Sequence, residues 1–181
     1  RIGLSVGGFV VARSLGVEIC HAQRQGPAAA TLEGRIGETL DEVADYSERD
    51  TVRAFARLAS GRAGADTDAM IEEVLPTIED CHDCADFSLV PLIWSRTVWG
   101  GDIGETTRAR IDTAILNYRY WMDEPGNDVQ WYFSENHALL FHTACYLAGH
   151  LLPDATFVRS GRKGAEQSKI GAQRVRAWLD H

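Results

Sequence analysis

The sequence predicts an all-α protein of antiparallel helical hairpins. Apolar residues recur at helical spacing from about residue 36 onward, convincing alternating strands are missing, and Gly or Pro breaks separate the periodic stretches. The 181 residues, 45% of them hydrophobic, suit one domain with a genuine core.

Ile36, Leu40 and Val43 begin an apolar stripe, which Val52, Phe55, Leu58 and Ala59 continue or restart after Ser47, whose spacing to Asp50 fits a capping box. Gly61 and Gly64 punctuate the chain. Asp66-Thr67-Asp68 then opens a helix through Met70, Ile71, Val74, Leu75 and Ile78, with Pro76 expected to kink or shift it. From Asp86 a helix carries Phe87, Val90, Ile93, Trp94 and Thr97, where Pro91 fits only a first turn, and Gly100-Gly101 ends it. Thr106 can cap the helix through Ile111, Ala114, Ile115 and Tyr118, before a firm break at Pro125-Gly126. Ser134 is the expected cap of the next helix, which carries Leu140, Ala144 and Leu151 and stops at Pro153. A loop from Phe157 to Gly164 leads to a last helix with Ile170, Val175, Trp178 and Leu179. Six helices in sequential antiparallel pairs result, and pairs of this size suggest a solenoid or ring of hairpins. The hairpin domain spans 31–181. Residues 1–30 form an N-terminal segment of undefined structure, in which Gly7-Gly8-Phe9-Val10-Val11 fits strand or helix.

A formal net charge of -8 argues against sequence-independent nucleic-acid binding, which requires a basic surface. Charge is uneven: Glu33 to Asp86 holds fifteen acids against five Arg, whereas Arg159 to His181 holds six bases against two acids. No run of about 18 apolar residues suits a bilayer. The chain opens without Met, which suggests a fragment or a processed chain.

Chemistry concentrates between Tyr120 and Pro153. A polar, aromatic-rich loop holding Tyr120, Trp121, Asp123, Glu124, Asp128, Trp131, Tyr132 and Phe133 runs into Ser134-Glu135-Asn136-His137. That start places a carboxylate, an amide and an imidazole on one helical turn. Glu135 suits the positive end of the helix dipole; His137 does not, and the same field favours the neutral imidazole that a general base needs. At 100° per residue His137 continues the stripe of Phe141, Ala144 and Ala148, so it is expected at a pocket rim, with Asn136 beside it as donor and acceptor.

The Ser134-Glu135-Asn136-His137 start, with the apolar helix and Leu147-Ala148-Gly149 after it, resembles the Asn-His helix start of alginate-lyase-like and heparinase-like polysaccharide lyases. The stretch from Tyr118 to Pro153 is also similar to that of uncharacterised bacterial proteins of six-hairpin glycosidase architecture. The resemblance implies an incomplete α/α toroid, a poly- or oligosaccharide as partner, and a missing remainder of the chain as the other half of the ring. For a lyase it implies Asn136 as neutraliser of a uronate carboxylate, His137 as base, and Tyr120 or Tyr132 as acid, with Arg159, Arg162 or Lys163 gripping neighbouring uronates. The lyases usually carry Asn before the Asn-His pair. Glu135 stands there instead, which brings forward a hydrolase that needs two carboxyl groups, drawn from Asp123, Glu124, Asp128 and Glu135. Trp121, Trp131 and Tyr132 then offer faces for sugar stacking. The competing class is a non-enzymatic helical scaffold or protein-interaction domain.

Neither a cofactor nor a metal is expected. Cys81 and Cys84 have the spacing of a zinc half-site that His142 and Cys145 could complete, but small buried thiols are the commoner outcome, and His82-Asp83 lacks the further ligands of a metal dyad.

Overall fold

A computed structural model describes residues 31–180. The expectations for residues 1–30 lie outside them. The described chain forms seven helices and no strand, so the protein is all-α. They are α1 (Leu32–Ala44), α2 (Thr51–Ala59), α3 (Ala65–Glu79), α4 (Ala85–Trp99), α5 (Glu105–Asn117), α6 (Glu135–Leu151) and α7 (Gly164–Leu179).

The extra helix comes from the first stripe, which breaks into α1 and α2. Thr31 caps α1 by accepting from Gly34 N at 3.1 Å, and Asp50 caps α2 by accepting from Arg53 N at 2.7 Å. Asp50 is therefore the cap that the sequence reading gave to Ser47, whose hydroxyl donates instead to the neighbouring Glu48. Both prolines sit inside helices, Pro76 in α3 and Pro91 in α4. Pro91 lies beyond the first turn, contrary to expectation. Burial explains the tolerance: Leu75, Ile78, Leu89 and Ile93 around these prolines are completely buried, and tertiary packing of an apolar face outweighs a lost backbone bond.

The packing is less sequential than a row of hairpins. Helix α4 is the hub, contacting α2, α3, α5 and α6. One continuous core joins α2 to α6 and the loop residue Phe157 through residues such as Met70, Leu89, Ile111, Tyr118, Tyr120 and Phe141, while Val43, Ala44 and Ala56 make a small satellite between α1 and α2. The tightest pair is α6 and α7, running antiparallel. Glycine makes that approach possible. A Cβ on Gly171 would overlap the backbone of Tyr146, and one on Gly149 would overlap Gly164 and Ser168. No described helix is long and apolar enough to cross a membrane.

Candidate functional site

The turn between α3 and α4 begins the site. Cys81 and Cys84 both hold left-handed backbone angles, φ 51° and 62°, an uncommon conformation for residues with a Cβ. This turn delivers Asp83 outward and Asp86 inward. Asp83 Oδ1 accepts from the backbone N–H of Cys84 and of Trp131, both at 3.1 Å, tying the aromatic loop to the start of α4.

Asp86 is fully buried in the first turn of α4, and its Oδ2 lies 2.8 Å from His137 Nδ1 in the first turn of α6. Two helix starts are thus joined by an Asp-His dyad. Burial pushes the Asp86 carboxyl above its ordinary range, and the His137 hydrogen bond opposes that push. With the carboxylate accepting from Nδ1–H, the imidazole lone pair is left on Nε2. Among the described residues no hydrogen bond to Nε2 is found, and 10% of the side chain is exposed. Phe87 covers one side of the imidazole, edge to face at 5.1 Å, and Phe141 lies parallel beyond it at 6.5 Å.

Exposed rings surround this region. Phe87 is 46% exposed, Trp131 53% and Phe133 72%, and the last two form an edge-to-face pair at 5.4 Å. Glu135 and Asn136 are exposed on the same helix start as His137. Ser134 is the N-cap residue by position, yet its hydroxyl makes no capping bond; it donates to Asn136 Oδ1 at 2.7 Å and so fixes the amide's orientation.

The other candidates belong to a second, structural network. Arg119, 4% exposed, cages the 122–128 loop through the carbonyls of Met122, Glu124 and Asn127 and the carboxylate of Asp128. Glu124 is buried, accepting from Tyr120 N, Gln167 Nε2 and Arg162 Nη1. Burial alone would raise the Asp123 carboxyl, but Arg174 and Arg162 outweigh it and hold it below the usual range. Tyr120 is fully enclosed and donates to the Ile115 carbonyl, so its hydroxyl faces the core. Tyr132 is also buried, with its hydroxyl on Gln130 and its pKa raised by burial to about 12. Arg159 is spent on the carbonyls of Asn117 and Pro125, and Lys163 reaches the Asp154 carbonyl. Trp121 is half-buried against His142, 4.2 Å between ring centroids, with the Arg174 guanidinium 5.7 Å from its ring. None of these residues lines the outward-opening groove of about 250 Å³ between α6 and α7, bounded by Thr143, Tyr146, Ala172, Val175 and Arg176.

Among the described residues, no three His, Cys, Asp or Glu side chains converge as a metal site requires. The zinc half-sites stay apart: Cys81 and Cys145 are buried thiols, Cys84 is exposed, and His142 packs on Trp121.

The residue that sequence reasoning missed is Asp86. Its signal was present, because Asp86 shares the helical face of Leu89 and Ile93, and a carboxylate on a buried stripe requires a partner. Comparison with family models, with curated proteins and with solved structures returned no match for this chain.

Proposed function

We propose that this chain is a carbohydrate-active domain in which His137, oriented by Asp86, takes a proton from a sugar held against Phe87, Trp131 and Phe133. The carrying observation is the 2.8 Å contact between a fully buried carboxylate and an imidazole that keeps 10% of its side chain exposed. A carboxylate on Nδ1 fixes the tautomer and steadies the imidazolium formed on proton uptake.

Elimination fits these residues better than hydrolysis. Glu124 is buried and hydrogen-bonded, while Asp123 and Asp128 are ion-paired to arginines, so a free carboxyl pair is not supplied beside His137. In a uronide, Nε2 would accept the C5 proton, the C5–H electrons would form the C4=C5 double bond, and the C4–O bond would break. The leaving oxygen then takes a proton from the imidazolium, a role the enclosed Tyr120 hydroxyl cannot serve. Asn136 would polarise the uronate carboxylate through its amide N–H. In this reading the seven helices are one section of an α/α toroid.

A second reading, a protein-interaction scaffold, draws on the apolar stripe of Phe87, Trp94 and Val98 along α4, each about half exposed. Purified His137→Ala and Asn136→Ala chains assayed on a panel of neutral and uronic-acid glycans separate the two. The enzyme reading expects a near-ultraviolet signal from unsaturated uronate that both substitutions abolish, with the melting temperature nearly unchanged in Asn136→Ala and lowered in His137→Ala, which leaves the buried Asp86 carboxyl without its imidazole partner. Absence of any product from the unsubstituted chain, with partner binding lost in the variants, supports the scaffold.

A further inference from the structure

The chain that leads into α6 changes side with every residue: Gln130 is buried, Trp131 exposed, Tyr132 buried and Phe133 exposed. Inward, Tyr132 packs on Phe141 at 4.5 Å between ring centroids and its hydroxyl donates to Gln130 Oε1 at 2.8 Å, so the core grips every second residue. Outward, Trp131 and Phe133 give two large rings to solvent, paired edge to face at 5.4 Å. Paired rings left in water suit a partner that presents an apolar face.

Both ends of this short stretch are fastened to the helix starts that carry the dyad. At one end Phe133 leads directly into Ser134 and α6, with His137 in the first turn. At the other end the Trp131 N–H donates to Asp83 Oδ1 at 3.1 Å, and the same oxygen accepts from the N–H of Cys84, the residue before α4, also at 3.1 Å. Three residues on from Asp83, Asp86 meets His137 at 2.8 Å. The left-handed turn at Cys81 and Cys84 separates the two acids, leaving Asp83 exposed while Asp86 is fully buried. One turn thus supplies both the carboxylate that orients the imidazole and the carboxylate that fastens the ring pair. A backbone N–H bonded to a carboxylate is among the stronger hydrogen bonds a loop can make.

We propose that Asp83 is a positioning residue: by holding the Trp131 N–H it sets the Trp131–Phe133 pair in register with His137, as the stacking face for the sugar unit next to the one that reacts. The role in sugar binding rests on the carbohydrate-active reading, but the latch itself does not. A pyranose lays its C–H face on aromatic rings, and rings that are already fixed need no ordering when the sugar arrives, so the latch acts on binding rather than on proton transfer.

The test follows hydrogen exchange of the Trp131 amide by ¹⁵N–¹H NMR, with no sugar present, in the unsubstituted chain, Asp83→Ala and Asp83→Asn. Asn keeps an oxygen that can accept both amides, whereas Ala keeps none. Trp131 should exchange about tenfold faster in Asp83→Ala, with amides inside α6 unchanged and the Asn variant close to the parent. Turnover of a uronic-acid tetrasaccharide should then show KM raised about tenfold in Asp83→Ala, the ordering cost of two freed rings, at nearly unchanged kcat, and Asp83→Asn should restore KM. A merely structural role would lower the fraction of active chain, and so the apparent kcat, while leaving KM alone. Unchanged Trp131 exchange in Asp83→Ala overturns the latch, and faster exchange with an unmoved KM overturns its role in sugar binding. If the unsubstituted chain does not turn over the tetrasaccharide while exchange still responds, the latch stands and the sugar role of the ring pair falls with the carbohydrate-active reading.

Discussion

Replacing His142 with Phe should make this protein less sensitive to acid. His142 is buried at the α6–α7 seam, Trp121 covers its ring, and its enclosed Nδ1 has no partner. Burial first, and the nearby Arg174 guanidinium second, lower its pKa from 6.5 to about 4, with Asp123 opposing. Above pH 6.5 the ring is neutral in folded and unfolded chains alike and contributes no pH dependence. As pH falls below 6.5 the unfolded chain takes up a proton that the folded chain refuses. Stability is therefore lost progressively down to about pH 4, and the loss is complete below it. At about pH 4.5 the penalty amounts to about 2.5 kcal/mol. Phe keeps a ring against Trp121 and abandons no hydrogen bond, and any cost of its extra volume is the same at both pH values and cancels. Carboxyls held low, such as Glu79 through Arg110 and Asp123 through its arginines, lose their contribution only at lower pH and are shared by both chains. Urea unfolding at about pH 7.5 and about pH 4.5 measures the difference. The variant should lose about 2 to 3 kcal/mol less than the parent between the two conditions. Equal losses would show that His142 protonates in the folded state at its ordinary pH and would refute the reasoning.

Three further substitutions probe other parts of the account. Gly171→Ala drives a methyl group into the Tyr146 backbone, where nothing flexible can yield, and should cost about 2 to 3 kcal/mol by thermal or urea unfolding; a neutral result would mean the α6–α7 seam is looser than described. Arg119→Lys exchanges a planar fork with four acceptors for a single ammonium, so limited proteolysis should find new cleavage within 122–128 and stability should fall by about 3 kcal/mol, whereas unchanged protection would assign the loop's order to other contacts. Asp86→Asn keeps the shape of the dyad but can donate to His137 Nδ1, moving the ring hydrogen to Nε2; turnover on a responsive glycan should drop about 10²- to 10⁴-fold with near-native unfolding, and full activity would remove Asp86 from the mechanism.

Much of the fold was legible because helical periodicity and cap chemistry are local. Gly100 and Pro153 mark boundaries that a few neighbouring residues decide. The sequence reading failed where a distant partner decides. Pro76 read as a kink or shift and Pro91 as a first-turn residue, yet the core beneath α3 and α4 keeps both helices continuous through them. Ser134 read as a capping hydroxyl, yet Asn136 takes its hydrogen bond. The site divides along the same line. The alignment of His137 with Phe141 followed from its place on a stripe, and Trp131 in the aromatic loop is tied to Asp83 at the start of α4. What spacing could not tell apart was acids committed to arginine and an acid committed to imidazole. Asp123, Glu124 and Asp128 look like free turn carboxylates until Arg119, Arg162 and Arg174 are seen beside them. Asp86, fifty-one positions from His137, looked like a helix-start charge until α4 and α6 were packed together.

The most direct measurement is ¹⁵N NMR of the His137 imidazole during titration with uronic-acid oligosaccharides. The account predicts a ring hydrogen on Nδ1, a bare Nε2, and an Nε2 resonance that moves in proportion to bound sugar. A ring hydrogen on Nε2, or a resonance that no glycan disturbs, would contradict it.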